Sequence, residues 1–421
     1  MTMELRESAG AAVDTIADRL ATPDHACGLD LKQGWWPQSL AHGAVGVALL
    51  HIERARTEHG PWQRAHAWLS CAAADPAVGG DGSHLYYGAP ALAFALHAAA
   101  DRPGRYARAL DTLDRHIAAA ARQRLERAHA RMDRGEMPAL AEFDTIRGLS
   151  GMGALLLRRD VHTELLRDVL SYLVRLTEPV KHDGELLPGW WSHLAPSGKP
   201  SPDYPEGHAN NGLAHGIAGP LALLALSARH GITVNGHTEA IRRVCAWLDR
   251  WQQDGPAGPW WPYWITREQL RSGQPGHGPY RPSWCYGTAG FARAQQLAAL
   301  ATGNTVRQRM SEDALLRAIT DPDQLNETVD LSLCHGFAGL AYITQLVAAK
   351  SITSGLTECL PRLLAPITGT APDELAASLL HAPDGGDIGL LEGAAGTALA
   401  LHSFQADTSS MSGWDSCFLI N

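Results

Sequence analysis

The sequence has no uninterrupted apolar run of membrane-spanning length and no excess of basic residues. A transmembrane helix needs about 20 consecutive apolar residues, so an integral membrane protein is not expected. Asp and Glu (44) outnumber Lys and Arg (35), which gives a formal net charge of -9. Because no basic field attracts phosphate groups, the sequence also argues against a nucleic-acid partner.

Signals for secretion and for disulfide bonding are also missing. The N-terminal segment is acidic and amphipathic, whereas a signal peptide has a basic region followed by an apolar stretch. The cysteines number seven and are widely spaced in a chain of 421 residues. This pattern indicates reduced thiols rather than a disulfide framework. We therefore expect a cytoplasmic protein.

A short glycine motif recurs seven times along the chain. Each copy has a polar or aromatic residue, a glycine, two further residues and a small residue, followed by an apolar run with helical character. The copies begin at His42, Tyr87, Arg147, His215, Tyr286, His335 and Glu392. Internal repetition of this kind is the signature of a fold built from one structural unit.

The repeated unit is predicted to be a helical hairpin. Each interval has room for a second, amphipathic helix, for example over residues 109–127, 161–177 and 239–253. The Ala- and Leu-rich helix after each turn is apolar around most of its circumference, which suits a helix buried on all sides. We predict an all-α fold, an α/α toroid in which seven inner helices are surrounded by seven outer helices. Residues 1–421 would form this single domain, with long ordered loops over 186–209 and 254–282.

In such a toroid every glycine turn begins an inner helix at the same end of the ring. Glycine permits positive φ and close approach of one turn to the next, and the residue before each glycine points toward the central cavity. Functional residues should therefore gather at one mouth. The alternative is that the glycines only start helices and allow packing.

Two of the turns carry thiols. Cys285 precedes Tyr286-Gly287, and Cys334 and His335 precede Gly336. Two thiolates and an imidazole are soft ligands that suit Zn²⁺, and a fourth position left open would make the site catalytic. In the alternative, the cysteines are buried small hydrophobic residues, which does not explain their equivalent turn positions beside a histidine. We predict that Cys285, Cys334 and His335 bind zinc.

Four further residues near the turns are candidates for catalysis. His215 holds the position of His335 in the fourth motif and could act as an acid or base, or could only cap the turn. Asp144 could hold a proton or orient a neighbour, although aspartate near a helix start is often an N-cap. Arg281 could stabilise an anionic intermediate and Tyr286 could donate a hydrogen bond to it, unless both only pack the loop.

The other motif residues and thiols are expected to be structural. His42 and Glu392 occupy equivalent turn positions, but in the terminal repeats, where the ring must close. The remaining cysteines lack a motif context; they are Cys27, Cys71, Cys245, Cys359 and Cys417.

Four strings of residues resemble those of lanthionine synthetase C-like proteins, the cyclases of lanthipeptide biosynthesis. They are residues 211–220 (NGLAHGIAGP), 283–288 (SWCYGT), 333–336 (LCHG) and 414–420 (WDSCFLI). The resemblance extends over essentially the whole chain. It implies an α/α toroid with a Cys, Cys, His zinc site, in agreement with the prediction from the residues themselves.

The resemblance also implies a reaction. A cysteine of a dehydrated precursor peptide would enter as the fourth ligand of the zinc held by Cys285, Cys334 and His335. Its thiolate would add to a dehydroalanine or dehydrobutyrine of the same peptide and close a lanthionine or methyllanthionine ring. His215 resembles the proton donor of the family. The other cavity residues implied are Asp144, Arg281 and Tyr286.

The partners implied are the precursor peptide, with its leader and core, a dehydratase and an export transporter. Through that complex a cytoplasmic enzyme would associate with a membrane. Residues 73–143 match the place of a small inserted peptide-binding lobe, here short and mainly helical.

Three alternatives to peptide cyclisation remain open at this point. A related protein could add glutathione or another free thiol to dehydrated side chains of proteins. A zinc-holding adaptor without turnover is disfavoured by the presence of His215, Asp144 and Arg281 beside the ligands. An α/α-toroid glycosidase needs two opposed carboxylates. Only Asp144 and Glu392 could supply them, and the motif cysteines would then be unexplained.

Overall fold

A computed structural model of the chain describes residues 2–26, 28–256, 258–406 and 410–421, so Cys27 lies outside the described residues. Within these ranges the chain forms nineteen α-helices and seven short strands. In chain order the helices are α1 (Met3–Arg19), α2 (Pro23–Ala26), α3 (Ala44–Arg56), α4 (Trp62–Ala72), α5 (Ala89–Ala99), α6 (Ala107–Asp133), α7 (Leu140–Phe143), α8 (Leu149–Arg159), α9 (Thr163–Leu176), α10 (Ala218–Arg229), α11 (His237–Trp251), α12 (Arg267–Ser272), α13 (Thr288–Thr302), α14 (Thr305–Thr320), α15 (Pro322–Asn326), α16 (Phe337–Ala348), α17 (Leu356–Thr368), α18 (Pro372–Leu380) and α19 (Ala394–Ala406). The strands are β1 (Val180–His182), β2 (Glu185–Leu187), β3 (Trp191–Ser192), β4 (His208–Asn210), β5 (Gln253–Gly255), β6 (Gly258–Trp260) and β7 (Trp264–Thr266).

A helix begins at each of the seven glycine turns, as predicted. These motif helices are α3, α5, α8, α10, α13, α16 and α19. In α10 every residue from Ala218 to Ser227 is buried, which is the environment expected of a helix that is apolar all round. By contrast, α11 buries one face, at His237, Ala240, Ile241, Val244, Cys245, Leu248 and Trp251. The predicted amphipathic helices over 109–127, 161–177 and 239–253 correspond to α6, α9 and α11.

The chain divides into two compact units, of which the first comprises residues 1–117, 328–345 and 356–415. Within it, α1 packs against α17, α18 and α19, and α3 packs against α4, α5 and α19. The turns of the first and seventh motifs are also hydrogen-bonded, because Leu391 N donates to Ala41 O at 3.2 Å. The first and last repeats therefore contact each other within this unit.

The second unit comprises residues 118–327, 346–355 and 416–421. Here α8 packs against α9 and α10, α10 against α11 and α13, and α13 against α14. The last residues of the chain are fixed to the fifth motif and its helix. Trp284 Nε1 donates to Phe418 O at 3.0 Å, and Arg293 Nε donates to Ile420 O at 2.7 Å. The C-terminal string found in the sequence thus has a structural role in this unit.

The segments predicted as long loops contain small antiparallel sheets, so that prediction is wrong in part. Strand β1 pairs with β2, β5 pairs with β6, and β4 lies between β3 and β7. In the three-stranded sheet Ala209 lies opposite both Trp191 and Ile265. All three residues are buried. Strands of two or three residues are too short to show an alternating pattern in the sequence, which is why they escaped prediction.

The region over residues 73–143 includes α5, α6 and α7 and is mainly helical. Its role as a peptide-binding lobe stays a prediction, as does the assignment of the chain to one domain. No helix in the described part of the chain is both long and apolar enough to cross a membrane.

Space, rather than backbone conformation, requires glycine in most motif turns. A Cβ at Gly336 would meet the carboxylate of Asp330 and the backbone N of Ser332. The second glycine of the motif is equally confined, since a Cβ at Gly290 would overlap the carbonyl oxygen of Trp284. The close approach of backbone segments expected from the sequence is therefore present.

Positive φ, the other expected reason for glycine, applies at few of these turns. Gly43, Gly148 and Gly287 have φ values of -133°, -96° and -92°. Gly88 is the exception, at 74°. Positive φ is therefore not the reason for glycine at the first three positions.

The substitution Gly290→Ala is expected to destabilise the protein by about 2 kcal/mol, because a backbone carbonyl cannot rotate away from the new Cβ. Gly79→Ala is the matched control, since nothing lies within 4 Å of a Cβ there, and should change stability by less than about 0.5 kcal/mol. Urea denaturation of both variants measures the difference. Equal stability of Gly290→Ala and the wild type would contradict the steric account.

Candidate metal centre

The two candidate cysteine ligands lie at the same position of their turns, two residues before the motif glycine. Cys285 O accepts hydrogen bonds from Leu213 N at 2.9 Å and from Ala214 N at 3.2 Å. Cys334 N donates to Leu391 O at 2.9 Å. Each ligand backbone is thus tied to a neighbouring motif turn, so the thiols are positioned by the framework of turns.

The structure brings the three predicted ligands together. The ligand atoms of Cys285, Cys334 and His335 all lie within 4.8 Å of one another, with Cys285 buried and the other two partly buried. Zinc bond lengths of about 2.0–2.3 Å place tetrahedral donors roughly 3.5–4 Å apart. Small side-chain adjustments would therefore suffice to bind one ion. Two thiols and an imidazole are the donors that a zinc ion selects, so the residues fit the predicted metal.

Asp330 joins this group, although the sequence analysis did not single it out. Its Oδ2 lies 3.0 Å from His335 Nε2, and its Oδ1 accepts a hydrogen bond from Ser332 N at 2.8 Å. Burial opposes ionisation, but the hydrogen bond and charge of His335 hold the pKa of Asp330 at about 2. The sequence feature that could have identified Asp330 is its position six residues before the motif glycine, which Asp387 and Asn210 share.

His215 and Asp144 form a direct pair. His215 Nδ1 lies 2.7 Å from Asp144 Oδ2. The other carboxylate oxygen of Asp144 accepts from Arg147 N at 2.6 Å and from Gly148 N at 2.8 Å. Asp144 therefore stabilises its own turn and orients His215, one of the roles considered from the sequence, whereas the N-cap of α8 is Gly148.

This pairing also sets the protonation of His215. Burial lowers the pKa of His215, but the hydrogen bond and charge of Asp144, helped by the charge of Cys285, raise it above the usual 6.5. Since Nδ1 faces Asp144, Nε2 is the ring nitrogen positioned for proton exchange. The raised pKa of His215 favours its imidazolium form, which can act as an acid.

Tyr286 lies beside His215, with the two ring centres 6.2 Å apart. Its hydroxyl accepts a hydrogen bond from Asn210 Nδ2 at 3.4 Å. The ring of Tyr263 lies 5.2 Å from the Tyr286 ring on a neighbouring loop. Tyr286 is thus supported in a polar and aromatic environment rather than buried as core packing.

Arg281 is partly buried, and its backbone oxygen accepts from Ser283 N at 3.0 Å at the start of the fifth motif turn. Its charge acts on Tyr263: burial and then the charge of Cys285 raise the pKa of Tyr263, and Arg281 opposes this rise. Tyr263 therefore lies near two predicted site residues. It was missed because its Trp-rich segment contains no motif.

His42 repeats the histidine–aspartate pairing elsewhere. Its Nδ1 lies 3.0 Å from Asp387 Oδ2, while Asp387 Oδ1 accepts from Gly389 N at 2.7 Å. The structural role predicted for His42 and for Glu392 stays a prediction.

The family model for lanthionine synthetase C-like protein matches residues 34–419. Nisin biosynthesis protein NisC of Lactococcus lactis subsp. lactis is 25% identical over 266 residues, which cover 62% of this chain and 61% of the relative. The aligned stretch therefore spans less than two thirds of that relative.

The fold is similar to that of a solved structure, nisin cyclase. The TM-score is 0.79 at 20% identity, and the match covers 97% of each chain. The prediction of an all-α fold of the α/α toroid class is confirmed by this match.

The substitution Asp144→Asn is expected to lower the pKa of His215 and to destabilise the protein more near pH 6 than near pH 8.5. The pair stabilises the fold fully below 6.5, the pKa of an unperturbed histidine, and this contribution is lost as the pH rises through the higher folded value. Because 36% of the His215 side chain is exposed and screened, the extra loss near pH 6 should be about 1 kcal/mol. Urea denaturation at both pH values measures it. Equal destabilisation at the two values would contradict the pairing.

Proposed function

Because this chain belongs to the lanthionine synthetase C-like family, we propose that it is a zinc-dependent lanthipeptide cyclase. It would add cysteine thiolates of a dehydrated peptide to dehydroalanine or dehydrobutyrine residues of the same peptide, giving lanthionine or methyllanthionine rings. The observation that carries the proposal is the convergence of two thiols and an imidazole within 4.8 Å. The names that the comparisons gave, a nisin biosynthesis protein and a nisin cyclase, support the same class of reaction.

Cys285, Cys334 and His335 would hold the zinc ion. When bound, zinc lowers the pKa of a coordinated substrate thiol, so that the thiolate is available near neutral pH. The thiolates of Cys285 and Cys334 already neutralise a divalent charge. A third thiolate at the same centre therefore keeps its electron density and stays nucleophilic.

The ring-closing step needs no oxidant or reductant. The substrate sulfur forms a bond to the β-carbon of the dehydrated residue, and the π electrons move to give an enolate. His215 would deliver a proton from Nε2 to the α-carbon, while Asp144 stabilises the imidazolium through Nδ1. The proton lost by the substrate thiol balances the one added to carbon.

Arg281 and Tyr286 would stabilise the enolate while its negative charge exists. Arg281 offers a fixed cation, and the Tyr286 hydroxyl, which already accepts from Asn210, can donate its own proton. In this role both groups act on a charge that develops during the reaction, where electrostatic stabilisation has its largest effect on rate.

The substrate requires an earlier reaction, because dehydroalanine and dehydrobutyrine arise by dehydration of serine and threonine. We therefore place the protein after a dehydratase and before an export transporter, in the cytoplasm or held at the membrane by that complex. A peptide-binding role for residues 73–143 belongs to the same proposal.

The test is a ring-closure assay on a dehydrated peptide with one cysteine, read by alkylation of the remaining thiol and by fragmentation mass spectrometry. The zinc-loaded wild type should consume the thiol, and removal of the metal with a chelator should stop the reaction. His215→Asn should lower kcat by about 10²–10⁴-fold through loss of the acid. His42→Asn, the matched control from another histidine–aspartate pair, should retain activity.

Two outcomes would contradict the proposal. Glutathione adducts without an internal ring would instead support the thiol-addition alternative. A zinc-loaded wild type that leaves the thiol of every dehydrated peptide unchanged would support the adaptor.

A further inference from the structure

We propose that Asp330 is a positioning residue that fixes the tautomer of His335, so that Nδ1 is the nitrogen that binds the metal. The proposal rests on the zinc site of the proposed function. Its starting point is the 3.0 Å separation of Asp330 Oδ2 and His335 Nε2. Both residues belong to the turn of the sixth motif.

A neutral imidazole carries one proton and one free electron pair, on different nitrogens. An ionised carboxylate can only accept hydrogen bonds, so a carboxylate beside Nε2 keeps the proton of His335 on that nitrogen. The electron pair is then on Nδ1. Carboxylate partners of this kind orient histidine ligands and increase their basicity in many metal sites.

The turn holds this carboxylate in one orientation. Asp330 Oδ1 accepts from Ser332 N at 2.8 Å, which leaves Oδ2 directed at His335. Gly336 is required beside it, because a Cβ at that position would overlap Asp330 Oδ1. The glycine of the motif thus makes room for the group that orients the ligand.

The residues six positions before the motif glycine in two other motifs show which side-chain oxygen the turn itself requires. In the fourth motif Asn210 Oδ1 accepts from Gly212 N at 3.0 Å. In the seventh, Asp387 Oδ1 accepts from Gly389 N at 2.7 Å. One side-chain oxygen is therefore enough for the turn, and asparagine supplies it. The contact with His335 Nε2 accounts for the second carboxylate oxygen of Asp330.

The test is Asp330→Asn in the full-length protein. The asparagine oxygen can still accept a hydrogen bond from Ser332 N, and its NH₂ group then faces His335 Nε2. Nε2 must therefore accept a hydrogen bond from this NH₂ group. The proton of His335 moves to Nδ1 and blocks the metal-binding electron pair. The zinc dissociation constant, measured by competition with a chromophoric chelator, should rise by about 10–100-fold.

Asp387→Asn is the matched control, because it makes the same change at the same turn position beside His42, which is not a predicted ligand. Its zinc affinity should equal that of the wild type. Urea denaturation of the metal-free variants shows whether the turn is equally intact in both. A weaker zinc affinity confined to Asp330→Asn excludes a merely structural role.

A second measurement needs no variant and so does not depend on the folding of Asp330→Asn. Nitrogen-15 NMR of the zinc-loaded wild type should show His335 protonated at Nε2. A proton on Nδ1, or equal zinc affinity of the wild type and Asp330→Asn, would overturn the role of Asp330 and leave the proposed function standing. A wild type without measurable zinc affinity would overturn both.

Discussion

Lateral hydrogen bonds between neighbouring glycine turns are the constraint on which the candidate site depends. In one compact unit Thr145 N donates to Ala214 O at 3.0 Å, and Leu213 N donates to Cys285 O at 2.9 Å. In the other, Cys334 N donates to Leu391 O at 2.9 Å. These bonds join residues at or beside one position of the motif, two residues before its first glycine. A thiol at that position has its backbone hydrogen-bonded to a neighbouring turn, which favours a preorganised ligand.

The same kind of histidine–aspartate pair occurs at three places among the glycine turns. Three motif histidines face an aspartate, in the pairs of His215 with Asp144, His335 with Asp330 and His42 with Asp387. Each aspartate also accepts a backbone N–H of a turn, which compensates for its full or partial burial. In the proposed function, the pair supplies a proton at His215 and orients a metal ligand at His335.

The repeat pattern predicted much of this from the sequence. The glycine motif predicted where each motif helix begins. The equivalent turn positions of Cys285 and Cys334, beside His335, predicted that these residues form a metal site. Helical periodicity also placed the outer helices within a few residues of α9 and α11. The glycine motif and the helical periodicity are local sequence patterns, and their repetition along the chain makes them easier to recognise.

The remainder depends on contacts that local patterns do not reveal. Asp330 was not predicted because the position six residues before the glycine differs between the copies and holds proline, glycine, glutamate, asparagine, arginine or aspartate. Tyr263 directly precedes β7 of a small sheet whose strands have two or three residues, and its ring lies beside that of Tyr286. Of the two reasons for glycine considered from the sequence, positive φ and close approach, it is close approach of neighbouring atoms that applies at most of these turns.

Zinc-edge X-ray absorption of the purified wild type, beside Cys285→Ala and Cys334→Ala, tests the central claim most directly. The account predicts about one zinc per chain, with two sulfur neighbours at about 2.3 Å and a nitrogen at about 2.0 Å in the wild type. Each substitution should remove one sulfur or the metal itself. Stoichiometric zinc with the same sulfur neighbours in both variants would contradict the assignment of Cys285, Cys334 and His335 as the metal centre.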